Sequence, residues 1–176
     1  VTANINDSKE EIINICKTKN KQQIPVLDND GKLIGLEILN DLITKEDKLN
    51  KVVIMAGGLG TRLRPLTEKI PKPMLMAGKK PILLTILEKF AEYGYRNIVM
   101  CVNYRSDVIE NYFENGEKFG VKIDYVYEKK RMGTAGSLSL LDEKLKEPFF
   151  VINGDILTSV NFEHLHNFHL SNRSVA

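Results

Sequence analysis

The run Val52-Val53-Ile54-Met55-Ala56 constrains this chain more than any other stretch. Apolar residues without alternation suit a strand buried on both faces of a sheet. The run empties into Gly57-Gly58-Leu59-Gly60-Thr61-Arg62-Leu63-Arg64-Pro65-Leu66-Thr67, and Pro71-Lys72-Pro73 follows. A buried strand ending in a glycine-rich loop is how parallel α/β sheets hold phosphate. The loop is not a Walker A cradle, because Thr61-Arg62 follows Gly60 where that motif needs Lys-Ser/Thr after its final glycine. It is not a dinucleotide fingerprint either. Leu63 stands where the third glycine belongs, and no acidic residue ends a second strand about 20 residues later. What remains is a set of small residues whose N–H groups can close on an anion. Arg62 adds a fork of donors that does not deprotonate.

Strand and helix patterns alternate downstream. Pro81 opens a helix whose apolar face is Ile82, Leu83, Ile86, Leu87 and Phe90, closed by Gly94. Asn97–Asn103 reads as a buried parallel strand. Val108, Ile109, Tyr112 and Phe113 mark a second helix, ending near Gly116. Val121–Tyr127 reads as a third strand, Gly136–Leu145 as a third helix and Phe149–Ile152 as a fourth strand. Phe162, Leu165, Phe168 and His169 form the face of a last amphipathic helix. The alternation predicts an α/β fold: a Rossmann-like, mostly parallel sheet with right-handed crossovers.

Residues 1–46 have their own organisation, and a polar, charge-mixed linker at 47–50 separates them from 51–176. Lys9–Lys19 carries Ile12, Ile13, Ile15 and Cys16 on a short amphipathic helix. Pro25 holds Ile24 extended. Asp28-Asn29-Asp30-Gly31 is a turn between two strands, and a helix begins at Leu39. This small α+β unit offers little core of its own.

Charged residues make up 27% of the 176 and nearly balance, with a formal net charge of +2. That argues against a nucleic-acid or membrane-surface partner, so phosphate affinity must come from a few local cations. No run reaches the ~18 apolar residues of a membrane span. Cys16 and Cys101 lie in apolar surroundings and read as buried free thiols, which points to the cytoplasm. The first residue is Val1, and the chain is expected to be a piece of something longer.

Two resemblances add to this reading. Ala56–Thr67, Pro71-Lys72-Pro73-Met74-Leu75, Gly133-Thr134-Ala135-Gly136-Ser137 and Asn153-Gly154-Asp155 resemble, in order and spacing, the signature of sugar-phosphate nucleotidyltransferases. Within that family the resemblance is strongest to mannose-1-phosphate guanylyltransferases. The N-terminal unit, from Ile24 to Gly35 and on to Asn40-Asp41-Leu42, resembles part of a regulatory module of the cystathionine-β-synthase (CBS) type. Such modules pair, which implies a homo-oligomer through this part. Asp41 alone matches their ribose-binding pattern, and packing is the expected role of the unit.

The first resemblance implies a nucleotide-diphospho-sugar transferase fold, C-terminally incomplete here. It also implies a reaction: a sugar 1-phosphate oxygen attacks the α-phosphorus of a nucleoside triphosphate in line, and pyrophosphate leaves. No protein nucleophile is needed, so catalysis is positioning and charge neutralisation. Ala56, Gly57, Gly58, Gly60, Thr61 and Arg62 are implied to hold the triphosphate, with Arg62 on the departing pyrophosphate and Lys72 near the reacting phosphates. Arg64 packs or pairs on the surface. Asp155, just past a strand's carboxyl end, is the implied ligand of Mg²⁺. Taken alone, Asn153-Gly154-Asp155 would read as a turn that caps a helix. Gly133 and Thr134 are implied to close over base or ribose.

Glu128 stands where related enzymes face the base, and uridylyl and thymidylyl members carry an amide there. A carboxylate only accepts, and guanine presents two adjacent donors, so GTP is the expected substrate. His164, His166 and His169 lack the i, i+4 spacing of a metal site. The alternative is a nucleotide-binding regulatory protein of the same fold without turnover. The chain stops at Ala176, where the sugar half of such a site is still to come, so weak GTP·Mg²⁺ binding without turnover is expected of it.

Overall fold

The computed structural model describes residues 1–42, 47–130, 132–141 and 145–172, with the side chains of Asn40 and Asp41 outside the description. The match of Asp41 to a ribose-binding pattern therefore lies outside the described residues. The chain divides into two compact units, Val1–Glu46 and Asp47–Ala176.

The first unit is a three-stranded sheet with two helices: β1 (Ala3–Asn4), α1 (Lys9–Thr18), β2 (Gln23–Leu27), β3 (Leu33–Ile38) and α2 (Leu39–Leu42). Helix α1 starts at Ser8 because Ser8 and Glu11 satisfy each other's backbone N–H groups in a capping box. β2 and β3 pair antiparallel around the Asp28–Lys32 turn, where the Asp28 carboxylate accepts from the N–H groups of Asp30 and Lys32. The core is small: Ala3, Ile12, Cys16, Ile24, Val26 and Leu39.

The second unit is built on four parallel strands: β4 (Lys48–Met55), β7 (Tyr95–Val102), β8 (Lys122–Tyr127) and β9 (Phe150–Asn153). Between β4 and β7 lie a two-residue hairpin, β5 (Met76–Ala77) and β6 (Lys80–Pro81), and helix α3 (Ile82–Glu92). Helix α4 (Ser106–Phe113) joins β7 to β8, and α5 (Phe162–Asn172) follows β9. The sheet order is β8-β7-β4-β9. The second unit starts at β4, winds outward to β8, then returns to the other side of β4 as β9. Order therefore reverses between β4 and β9, the switch point where open parallel sheets bind ligands.

Both faces of the sheet are covered, which explains the unbroken apolar runs. On one face Val52, Ile54, Ile98, Met100, Val102 and Ile123 pack with Leu83, Leu87, Phe90, Ile109 and Phe113 of α3 and α4. On the other, Val53, Val99 and Cys101 pack with Leu138, Leu141 and Leu145.

Two expectations change. The linker at 47–50 is largely strand: Lys48–Asn50 belong to β4, with Lys48 in register with Tyr95. Its polar residues have partners at this end of the sheet. Asn50 donates to the Pro148 carbonyl at 2.7 Å, Lys48 pairs with Glu163 at 3.5 Å, and Asp47 accepts from Arg96 at 3.0 Å. A polar strand end therefore looked like a linker. The helix expected over 136–145 is instead a 3₁₀ turn, Gly136–Leu140, followed by extended backbone at Leu141; residues 142–144 lie outside the description. The Ser139 hydroxyl donates to the Gly136 carbonyl at 2.8 Å, a local bond that competes with the α-helical ladder.

Candidate active site

Most of the residues expected to carry chemistry follow the carboxyl ends of three of the four strands. Gly57–Arg62 follows β4, Glu128 follows β8 and Asp155 follows β9. Alignment of these ends is a direct consequence of parallel pairing: Met55 lies level with Cys101 and with Asn153, and Val102 with Tyr127. Residues far apart in sequence thus leave the sheet on one rim.

The glycine loop is held from within. Gly60 takes a left-handed conformation, φ 61°, and caps the short 3₁₀ turn Thr61–Leu63. A Cβ there would come 2.9 Å from Cγ2 of Thr67 and 3.2 Å from Cβ of Lys72, so only glycine fits. Thr67 is 1% exposed, and its hydroxyl donates to the Gly60 carbonyl at 2.8 Å. Gly57 is a point of close approach: a Cβ would lie 3.1 Å from Cβ of Asn103 and 3.3 Å from Oε1 of Glu128. The Glu128 carboxylate therefore rests against the start of the loop. Thr61, Arg62 and Arg64 are exposed, as are Gly133 and Thr134.

Lys72 sits on a second 3₁₀ turn, Lys72–Met74, set up by Pro71 and anchored by buried Pro73 and Met74. Its ammonium forms an ion pair with the Asp155 carboxylate, both side chains being partly exposed. Gly154 brings Asp155 to this place: its N–H donates to the Met55 carbonyl at 2.8 Å, and a Cβ on Gly154 would lie 3.3 Å from that of Ala56. The Pro-Lys-Pro and Asn-Gly-Asp motifs, some 80 residues apart in the chain, thus meet across the switch point.

Three contributors escape sequence reading. Asn103 donates from Nδ2 to the Glu128 carbonyl at 2.6 Å. Tyr104 aims its hydroxyl at the carbonyls of Thr67 (3.1 Å) and Glu68 (2.7 Å). Thr67 closes the loop onto Gly60. Asn103 reads in sequence only as the end of a strand, and a bond from a side chain to distant backbone leaves no periodic signal.

Cys101, at the end of β7, is buried, and burial pushes its thiol up; the Ser137 hydroxyl offsets this in part and the Glu128 carboxylate adds to it. It stays a neutral packing residue. His166 is likewise structural, with Nδ1 2.9 Å from the Tyr95 hydroxyl. Among the described residues no group of three or more His, Cys, Asp or Glu side chains is arranged to hold a metal.

A parallel sheet that carries a glycine-rich, cation-bearing loop at its switch point, with a carboxylate on the neighbouring strand, defines a nucleotide-binding α/β domain. Comparison with known proteins narrows the class. The nucleotidyl transferase family model matches residues 51–175, and the chain belongs to this family. The chain is 44% identical over 130 residues to a mannose-1-phosphate guanyltransferase of Yarrowia lipolytica, covering 72% of this chain and 36% of that protein. It is 42% identical over 123 residues to the mannose-1-phosphate guanylyltransferase catalytic subunit beta of Xenopus tropicalis, covering 68% and 34%. Among solved structures it resembles HddC from Yersinia pseudotuberculosis complexed with GMP-PN, with a TM-score of 0.61, 31% identity, and coverage of 69% of this chain and 55% of that one. The chain spans about a third of the length of the curated relatives it matches.

Proposed function

We propose that this chain carries the nucleotide-binding part of a sugar-1-phosphate nucleotidyltransferase that transfers GMP from GTP to a sugar 1-phosphate and releases pyrophosphate. The observation that carries the reading is the Lys72–Asp155 ion pair at the switch point, beside the Gly57–Arg62 loop. A surface pair of this kind contributes under about 1 kcal/mol to stability, so stability does not account for it. It keeps a cation and an anion poised where phosphate charge would arrive.

Each role follows from the chemistry of the group. The amides of Gly57, Gly58, Gly60 and Thr61, with Ala56 at the end of the strand, receive the triphosphate. Arg62, exposed at the tip, stabilises the departing pyrophosphate with two parallel N–H donors. Lys72 turns from Asp155 to the reacting phosphates. Glu128 accepts from the N1–H and amino group of guanine, a pairing that adenine and the pyrimidines do not offer. The backbone of Gly133 and Thr134 covers base or ribose. The names of the relatives make mannose 1-phosphate the first acceptor to test, and the GMP-PN complex of HddC supports guanine.

Magnesium suits the donor set. The ion typically takes one or two carboxylates and completes its shell with phosphate oxygens and water. Asp155 supplies one partly exposed carboxylate. When bound, the ion would neutralise phosphate charge. We also read the first unit as a CBS-type regulatory module of a cytoplasmic, oligomeric enzyme. The helix–strand–turn–strand–helix order supports this, as do the exposed apolar residues Leu33, Ile34 and Leu36 of β3. No helix of the described residues is long and apolar enough to cross a membrane.

Pyrophosphate release by the protein carrying this sequence tests the reading. Release is expected with GTP, Mg²⁺ and mannose 1-phosphate together. No release with any sugar 1-phosphate, under conditions where the protein is folded, would overturn it.

A further inference from the structure

We infer that Tyr104 is a positioning residue for the triphosphate loop, and that the pair Asn103-Tyr104 ties the base side of the site to its phosphate side. The inference rests on the nucleotide reading above and assigns a role to residues that reading does not use.

Asn103 and Tyr104 are consecutive at the carboxyl end of β7, next to β4 in the sheet. Their side chains serve opposite ends of the site. Asn103 donates to the Glu128 carbonyl at 2.6 Å, and its Cβ closes on Gly57. The Glu128 N–H is held in turn by the Val102 carbonyl at 2.9 Å. Tyr104 reaches the other way, to the carbonyls of Thr67 and Glu68. Thr67 then grips the Gly60 carbonyl, and Gly60 lies against Lys72, the partner of Asp155. A contiguous line thus runs from Glu128 through Asn103, Tyr104, Thr67, Gly60 and Lys72 to Asp155.

The Tyr104 contact matters because, among the described residues, the loop is otherwise held by hydrogen bonds within itself. Thr61 through Leu66 are exposed, and Thr67 is the buried residue that closes this stretch. Arg105 follows Tyr104 in a left-handed conformation, φ 52°, and turns the chain at once into α4. The hydroxyl of Tyr104 therefore reports the position of a rigid strand end to a loop with little packing of its own. Preorganised backbone donors bind phosphate better than mobile ones, since the ordering cost is already met.

The two halves make separable predictions. Tyr104→Phe removes only the hydroxyl. It should weaken GTP about fivefold to tenfold and leave GMP, which lacks the β- and γ-phosphates, within about twofold. Asn103→Ala should reduce preference for GTP over ATP while leaving the GTP-to-GMP affinity ratio unchanged. Thr67→Val should follow Tyr104→Phe, and Thr67→Ser, which keeps the hydroxyl, should restore the ratio. Calorimetric titration of the whole chain with GTP, GMP and ATP measures all of these, with urea unfolding of each variant to show that it remains folded. A Tyr104→Phe chain that is folded and keeps the wild-type GTP-to-GMP ratio overturns the positioning role alone. A wild-type chain that binds no GTP overturns the nucleotide reading and this inference with it.

Discussion

The two ends of the four-stranded sheet are built from different materials. At the amino ends the strands open with Tyr95 and Phe150, which pack with Phe90 and Phe162 into one aromatic cluster. Phe90 stacks on Phe162 at 3.9 Å between ring centroids, and Tyr95 meets Phe150 edge-on at 5.0 Å. His166 completes the cluster, and Lys48 covers the Tyr95 ring at 4.9 Å. At the carboxyl ends there are glycines, short 3₁₀ turns and half-exposed charges joined by side-chain-to-backbone bonds. One end buries large apolar area and supplies stability. The other leaves backbone donors and charges open, at the cost of packing, as a binding rim must. Substitutions at the two ends should therefore fail in different ways.

The largest effect is expected at the amino end. Phe90 is fully buried and touches three other rings. Phe90→Ala should lower stability by about 3–5 kcal/mol, seen as a fall in the urea midpoint. The carboxyl end should show the opposite pattern. In the protein carrying this sequence, Lys72→Ala should reduce pyrophosphate release on the order of a hundredfold or more while stability changes by under about 1 kcal/mol, because its ion pair is partly exposed. A fall of several kcal/mol in Lys72→Ala would erase the distinction between the ends.

A smaller effect sharpens the carboxyl end itself. Glu128→Gln exchanges an acceptor pair for one acceptor and one donor. GTP affinity should fall by about 1–3 kcal/mol, while affinity for UTP holds or rises.

The smallest effect concerns pH. His166 has its pKa lowered from 6.5, chiefly by burial and further by Lys48 and His169. A histidine with a depressed folded pKa binds fewer protons folded than unfolded over that range. Its stability contribution is complete above the unfolded value and is lost as pH falls through the lowered folded value. Urea midpoints measured from about pH 7 to about pH 5 should decline less in His166→Gln, which keeps an acceptor near the Tyr95 hydroxyl but does not titrate. Parallel slopes in the two proteins would refute a half-buried, neutral His166.

The contrast between the ends also explains what could be read from sequence. The unbroken runs at 52–55 and 98–102 announce strands covered on both faces, and the alternation around Pro81 and Gly94 announces the parallel class. The rim was legible where a motif concentrates glycine, cations and proline, as at 57–62 and 71–73. It was illegible where position depends on single bonds between distant segments. Asn103, Tyr104 and Thr67 act on backbone carbonyls seven to 37 residues away, and nothing in their local pattern marks the target. Lys48–Asn50 misled for a related reason: its polar side chains find partners on Glu163 and Pro148, far along the chain. Gly136–Leu140 misled because apolar spacing could not register a serine bond that tightens the turn.

The proposed function makes the carboxyl rim a guanine nucleotide site. Calorimetric titration of the whole chain with GTP, ATP and UTP in the presence of Mg²⁺ tests this most directly. GTP should bind at least about tenfold more tightly than either competitor, the difference that one well-placed carboxylate can supply against a base that offers one donor rather than two adjacent ones. Equal affinities for the three nucleotides would contradict the role of Glu128, and no binding of any of them would contradict the site.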